Sequence, residues 1–597
     1  GDAVAKDAKF ETGVSFGSTG ADEPYSSLTD KDGNYYISGM CRGDVEFAGG
    51  ATIKGRGGMD AVIVKYDAEL NFLWARAVGG SKDDTFERIA VTSAGDIVAV
   101  GKISGDVTID GTDQSLSGTQ STDGCIVVYD KDGNYKSSAQ IKAAGASLCY
   151  SVAVDKSDNI FVTGSTVGAT DFGNEKTVTI EGSNPGTFLA CYNNSLVCQW
   201  AIAGSSPVQS YGWAVNFDKE ENILLTGRFG TTFTITGTDG EALTTAVGSE
   251  SSQDTYVAKL SHEGVGQWIT YVTNSNRIDT RSIDSDSQGN VYIWGHCQSA
   301  VTPEGQSPLG FNGNFDSFLI KYSSAGAYLD GMNLGGSGRD EAKSLFVDAD
   351  DNIYVAGNVN GDGSKGGTAV NMNPRGESKD YTFKGHDGYV AKYNGSTWEL
   401  MQLEKTVTPD NANQHEVAWC VTMSPDYNKV YVTGYFNNGA TVFDGASLTL
   451  PFVRDYDIYT VLYSYTLMVK TKTLEPGVAN EPYYSNIVVD NVEGAVKFEI
   501  VSGALPDGIT LSKDGAFAGT PTKNGSYTFT VKISDDVSSI QKEYTLVIKS
   551  GEGCDVFIVT DQCPDAYIGY PYSLQLEIEG EGITCALTGG SLPVGPS

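Results

Sequence analysis

Seven positions spaced along the chain carry side chains able to hold a ligand: Tyr25, Glu87, Tyr150, Trp213, Arg281, Lys343 and Trp419. Each lies nine residues before the polar end of a short turn; the last is placed by the apolar pair Val421 and Met423, because its turn is one residue longer. Positions two and four residues further on are mostly aliphatic, as packing requires, so a column that is aromatic or charged every time is unusual. Three residues before it runs a second column: Asp22, Asp84, Ser147, Ser210, Ile278, Asp340 and Glu416. Aromatic rings beside acids, Arg and Lys suit a sugar, whose apolar ring face stacks while its hydroxyls hydrogen-bond. They also suit a peptide. Glu87 with Asp84 offers the paired carboxylates of glycoside chemistry, although nothing in the spacing favours that use. The structural alternative is that the large residues plug a channel and the acids cap loops.

The elements that must position these residues repeat. The clearest copy is Asp348-Ala349-Asp350-Asp351-Asn352-Ile353-Tyr354-Val355-Ala356-Gly357, a polar turn running into an apolar strand that ends on glycine. Its closing glycines are Gly39, Gly101, Gly164, Gly227, Gly295, Gly357 and Gly434, at gaps of 62, 63, 63, 68, 62 and 77 residues. A fixed period of this length marks a repeat architecture. Within the unit that starts near Asp340, strand A is Ser344–Val347 and strand B is Ile353–Gly357. Strand C is Asp387–Tyr393 and strand D is Trp398–Met401. Four antiparallel strands repeated radially make a β-propeller, whose edges stay short and protected. An Asp stands six residues before an aromatic or Leu in strand C of six units: Asp60, Asp123, Asp254, Asp316, Asp387 and Asp457, with Gly186 in its place in the third. An acid at the same strand entrance six times reads as a structural acceptor. Trp74, Trp200, Trp268 and Trp398, opening strand D, read as blade-to-blade packing.

The seventh unit runs from its strand C, ending near Tyr463, into Thr471-Lys472-Thr473 without a recognisable strand D. Phe10–Gly17 aligns with Trp74–Gly80, which is strand D and its exit. The N-terminal segment is therefore expected to complete the seventh blade and close the ring. The phrase V-D-x-x-x-N-[IV]-Y-[VI]-x-G, at Val347–Gly357 and more loosely Val154–Gly164, resembles bacterial seven-bladed propeller repeats of the SBBP type, with similarity to NHL and YVTN repeats. The resemblance covers about residues 8 to 465 and implies a fold rather than an activity.

From about Leu474 the period changes. Gly503-Ala504-Leu505-Pro506-Asp507-Gly508, then Asp514–Pro521, then Gly525–Val531 are short alternating strands with Gly and Pro turns, the pattern of a β-sandwich. This phrase resembles the Ig-like or cadherin-like modules of bacterial surface proteins. A second copy begins after Gly551: Tyr570-Pro571-Tyr572 echoes Glu481-Pro482-Tyr483, and Gly590–Gly595 echoes Gly503–Gly508. The expected fold is thus all-β: a seven-bladed propeller over 1–470 closed by the N-terminal strand, an Ig-like sandwich over 471–550 and part of a second over 551–597.

Composition bounds the function. Forty Lys+Arg against 75 Asp+Glu give a net charge of −35, which disfavours nucleic acid as a partner. No apolar run reaches the roughly 20 residues of a membrane-spanning helix. The polar start at Gly1 suits a processed N-terminus, and a lipid anchor could have left with an export signal. His262, His296, His386 and His415 recur at no metal-ligand spacing, so no cofactor is expected. Asp30–Asn34 and Asp130–Asn134 look calcium-like but lack the distal Glu of an EF-hand and stand where a hairpin turn is needed. Cys191 with Cys198, and Cys554 with Cys563, could each form a disulfide; buried free thiols are the preferred reading for the first pair. The sequence points to an exported, monomeric bacterial protein of the cell surface or periplasm that binds a glycan or a protein without catalysis. A carbohydrate-active lyase or hydrolase with its site at the channel mouth, and a plain structural spacer, are the alternatives.

Overall fold

The computed structural model describes residues 7–118, 122–247, 253–360, 368–383, 385–407, 415–437, 442–443, 450–551, 557–558 and 578–579. It divides into two compact units, 1–463 and 464–597.

Among the described residues, the first unit contains seven large antiparallel sheets, each with a core of four strands, and two small two-stranded ones. The first strands, A, are Glu23–Thr29, Thr85–Val91, Ser147–Val154, Ser210–Phe217, Ile278–Ser285, Glu341–Val347 and Glu416–Met423. Consecutive A strands touch one another, and the seventh touches the first, so they form the inner ring of the propeller. In the seventh sheet, Lys9–Phe16 takes the outer place beside strand C, Asp457–Ser464, as the missing strand D implied. The sheets also grow outward. Asp106–Ile109 and Ser115–Ser117, from the B–C connection of blade 2, add two strands to the outer edge of blade 1. The corresponding segments of blades 3 and 4 extend blades 2 and 3 in the same way. A neighbour's hairpin thereby covers edges that would otherwise be left open.

The turn chemistry is local. Asp30 Oδ1 accepts the backbone N–H groups of Asp32 and Asn34 at 3.0 and 2.9 Å, and its Oδ2 accepts Asn34 Nδ2 at 3.0 Å. Asp130 makes the same three bonds with Asp132 and Asn134. Both calcium-like runs thus hold their own turns. The residue before the closing Asn sits in the left-handed region: Gly33, Gly289 and, without glycine, Asp158, Glu221 and Asp351. These three acids have a second use. Asp351 accepts Ser287 N and Oγ at 2.7 and 2.6 Å from the preceding blade, Asp158 accepts Ser93 in the same way, and Glu221 accepts Lys156 N.

Hydrophobic clusters lie between neighbouring blades, as where Tyr36, Ile63 and Trp74 of blade 1 meet Ile89, Ala99 and Val127 of blade 2. Three strand-D tryptophans lie against a turn glycine of the next blade: Trp74 on Gly133, Trp200 on Gly264 and Trp268 on Gly326. Trp74 Nε1 and Trp268 Nε1 also donate to backbone carbonyls there, at 3.0 and 3.1 Å. Trp398 differs from expectation. It does not open strand D, which is Leu400–Val407, but is itself the left-handed residue of the C–D turn, with φ 58°, and is buried. The strand-C acids are buried acceptors: Asp254 takes Thr273 Oγ1 and Asn274 N, Asp316 takes Asn312 N and Asn333 Nδ2, and Asp457 takes Val453 N. Cys191 and Cys198 are buried free thiols.

The second unit contains a four-stranded sheet, with strands Gly477–Val478, Lys497–Gly503, Gly525–Ser534 and Ser539–Lys549, and a three-stranded sheet, Tyr483–Asn486, Ile509–Leu511 and Ala516–Gly519. Phe517, Phe529, Val531, Tyr544 and Leu546 fill the core between them, the arrangement of an Ig-like sandwich. Leu467 belongs to the same core, so this unit's packing begins before residue 471. Of the expected second copy, only the paired strands Phe557–Ile558 and Ile578–Glu579 are described; Cys554, Cys563 and Cys585 lie outside the described residues.

Candidate functional site on the propeller axis

The A and B strands of every blade fall out of register at one residue. The slips lie between Pro24 and Ser26, Phe86 and Arg88, Cys149 and Ser151, Gly212 and Ala214, Thr280 and Ser282, Ala342 and Ser344, and Ala418 and Cys420. The residue skipped each time is Tyr25, Glu87, Tyr150, Trp213, Arg281, Lys343 or Trp419. The column found in the sequence is therefore a ring of β-bulges. A bulge leaves one residue unpaired, sharpens the local twist and re-aims the side chain, which is why bulges gather beside binding sites.

The closing glycine of each repeat explains how the bulge is accommodated. Gly39, Gly101, Gly164, Gly227, Gly295, Gly357 and Gly434 each pair with the residue just before the bulge. A Cβ on any of them would fall within 2.5 Å of a strand-A carbonyl oxygen, that of Glu23, Thr85, Leu148, Tyr211, Asp279, Glu341 or Val417. A side chain there would push the two strands apart. The residue after the bulge often ties the ring together: Ser26, Ser151 and Ser344 each accept a backbone N–H from the next A strand, at 3.2–3.3 Å.

All seven bulge residues line a single cavity of about 340 Å³ on the axis. That is near the lower end of small-ligand sites, which run from about 300 to 1,000 Å³. The large side chains leave this cavity between them. Sequence reasoning missed Arg88, Ser344 and Cys420, which line the cavity because the bulge turns the following residue toward the axis. It also missed Arg228, Arg277 and Thr280. Arg228 is on strand B, one residue after the closing glycine, and that offset is the signal that could have found it.

The lining is divided by chemistry. One side is aromatic: Tyr25 meets Trp419 edge-on with ring centroids 5.5 Å apart, and Tyr150 meets Tyr211 at 6.3 Å. The other is cationic. Lys343 Nζ lies 4.2 Å from the Trp419 ring centroid, and the guanidinium groups of Arg228 and Arg281 lie 5.1 and 5.6 Å from that of Trp213. Behind them, Asp279 is shared by Arg277 at 2.7 Å, His296 at 3.3 Å, Arg281 at 3.6 Å and Arg228 at 3.8 Å. Burial alone would raise the Asp279 carboxyl, but the His296 hydrogen bond and the surrounding guanidiniums hold it far below the usual carboxylate range. Glu341, held down in the same way, pairs with Lys343 at 2.8 Å and Arg339 at 2.6 Å. Burial lowers the Lys343 ammonium pKa, and the Arg281 charge lowers it further, while Glu341 opposes both. Glu87 is raised by burial and accepts Thr85 Oγ1 at 2.8 Å. Burial also pushes the Tyr150 hydroxyl up to about 12.

The second column is a correction. Asp22, Asp84, Asp340 and Glu416 do not line the cavity; all four are buried. Asp22 accepts Ser18 N, Ser18 Oγ and Arg42 N, Asp84 accepts Gly80 N and Ser104 N, and Asp340 accepts Gly336 N and Asn360 N. These three fasten the D–A loop to the end of strand B, whereas Ser147 and Ser210 each accept a strand-C N–H and donate to a strand-D carbonyl of the preceding blade. Burial raises Asp84 to about 6 and Asp340 to about 7. With Asp84 committed to backbone amides, the carboxylate pair with Glu87 is not assembled. Among the described residues, no cluster of three or more His, Cys, Asp or Glu side chains could hold a metal ion.

Comparison with known proteins agrees with the two units. The family described as "Putative Ig domain" matches residues 460–549, and that described as "Beta-propeller repeat" matches residues 138–173. An uncharacterized WD repeat-containing protein of Acanthamoeba polyphaga mimivirus is 21% identical over 435 residues, 59% of this chain and 31% of its own length. The chain thus spans under a third of that relative. The periplasmic gluconolactonase of Pseudomonas aeruginosa covers 70% of this chain and 98% of its own at 10% identity and a TM-score of 0.33, too distant to carry an argument about activity. The chain is a β-propeller protein that carries an Ig-like module.

Proposed function

We propose that the propeller is a non-catalytic recognition head that binds a glycan in its axial cavity, and that the Ig-like module is a spacer in an exported bacterial surface protein of adhesive type. The observation that carries this reading is the ring of seven bulged side chains converging on one open cavity, with Trp213, Trp419, Tyr25 and Tyr150 beside hydrogen-bonding charges. Flat aromatic faces next to fixed donors match the two surfaces of a sugar ring, and the seven bulges hold them on rigid strands rather than loops. Glu87 is the one carboxylate among the lining residues, whereas glycoside hydrolysis ordinarily uses two. A glycan-array screen of the purified chain tests the reading, run beside Trp213→Ala and Trp419→Ala. Binding by the wild type that is lost in the variants, at unchanged thermal stability, is expected. Absence of binding by the wild type would overturn the glycan assignment and leave a protein ligand or a spacer role.

A further inference from the structure

The cavity has a charge that the rest of the molecule lacks. In a chain of net charge −35, its lining carries Arg88, Arg228, Arg277, Arg281 and Lys343 against the single acid Glu87. The acids behind the lining, Asp279, Glu341 and Glu23, offset it only in part. Asp279 alone is shared by three of these guanidiniums, and Glu341 is divided between Lys343 and Arg339. Not all of the donors are used. The Nε atoms of Arg88, Arg228 and Arg281 are buried and have no hydrogen-bond partner among the described residues. Buried charge costs free energy unless it is paired, so five cations facing one carboxylate across a single cavity point to an anionic partner from outside.

We infer that the ligand is an acidic sugar, its carboxylate or sulfate held between Arg281 and Lys343 and its ring face laid on Trp213 or Trp419. The two cations stand on neighbouring blades, 5.6 and 4.2 Å from the ring centroids of Trp213 and Trp419, so an oxyanion held between them brings the sugar beside both indoles. Arg presents paired N–H donors to an oxyanion, and Lys adds a point charge. On the opposite arc Glu87 and the Tyr150 hydroxyl are left for neutral ring hydroxyls, the Tyr25 hydroxyl being donated to Glu23 at 3.0 Å, and Glu87 repels a second anion there. This assignment rests on the proposed glycan site and adds its charge class.

The test is calorimetric titration of the full chain with glucuronate, a sulfated hexose, glucose and inorganic sulfate, at low and at moderate salt. The acidic sugars are expected to bind at least about ten-fold more tightly than glucose and to weaken as salt rises. Arg281→Gln should lose about ten-fold of that affinity and Arg281→Lys less, both at wild-type thermal stability. Glucose binding as tightly as glucuronate would overturn the anionic assignment while leaving a glycan site. Binding of inorganic sulfate with no sugar bound would support the oxyanion site but overturn the sugar. No binding of any of the four would overturn the inference outright.

Discussion

Replacing Gly227 with Ala should damage the propeller far more than an added methyl group ordinarily does. The new Cβ would lie within 2.5 Å of the Tyr211 carbonyl oxygen and 2.7 Å from Tyr256 Oη. The hydroxyl can swing away, but the carbonyl is backbone and belongs to the strand-A stretch that enters the Trp213 bulge. An ordinary contact of 3.4 Å or more requires that strand to retreat by well over an ångström. Overpacking costs about 1–3 kcal/mol, and each strand A–B hydrogen bond weakened by the retreat adds about 1 kcal/mol. A loss of about 3 kcal/mol is expected in urea unfolding followed by tryptophan fluorescence. Gly310→Ala is the control, because nothing lies within 4 Å of its added Cβ and its backbone is not left-handed; it should stay within about 0.5 kcal/mol of wild type. Because Trp213 moves with the strand, Gly227→Ala should also weaken ligand binding in whatever protein remains folded. A Gly227→Ala chain as stable as the Gly310→Ala control would refute the claim that the repeat glycines exist to admit the bulges.

Three further outcomes follow from the geometry. Glu416 is 1% exposed, its Oε2 has no hydrogen-bond partner among the described residues, and burial, with Asp387 adding to it, pushes its carboxyl up to about 9. Its contribution to stability is whole below the unfolded value of about 4.3 and is lost as pH rises toward 9. Glu416→Gln removes that loss, so its advantage over wild type should grow between pH 5 and pH 8 by up to about 1.4 kcal/mol per pH unit; equal gaps at the two pH values would contradict this. At Asp351, left-handed at φ 63° and bonded to Ser287, Ala should be less stable than Gly by about 1 kcal/mol, the reverse of the usual order in regular strands. Thermal melts rank the two variants, and Ala equal to or above Gly would count against the turn account. Trp74→Ala, which empties the contact with Gly133 and leaves the Lys131 carbonyl without its indole donor, should cost about 3–5 kcal/mol in the same unfolding assay.

The fold was readable because its signals are local and repeated. A turn Asp with an Asn four residues on, a run of β-branched residues and a closing glycine write the same hairpin again and again, and the misplaced strand D of the seventh unit betrayed the closure. The candidate site was half readable. The column from Tyr25 to Trp419 showed as an interruption of aliphatic spacing, yet the cause, an extra residue admitted by a glycine on the facing strand, is a pairing fact that no single strand displays. Arg88 and Cys420 escaped for that reason: strict alternation assigns them to the opposite face, and only the bulge brings them to the axis. The acids Asp22, Asp84 and Asp340 misled because a carboxylate three residues from a site column looks alike whether it meets a ligand or the backbone amides of a loop. Trp398 misled because its turn uses an indole where the equivalent turns use Gly133, Gly264 and Gly326 or Leu70 and Leu196.

The central claim is that the bulge ring is where this protein meets its ligand. A crystal structure of the chain soaked with the strongest glycan from the array tests it most directly. Density for a sugar ring against Trp213 or Trp419, with an acidic group between Arg281 and Lys343, is the predicted result. An empty axial cavity with the glycan bound on an outer edge of the blades or on the Ig-like module would contradict it.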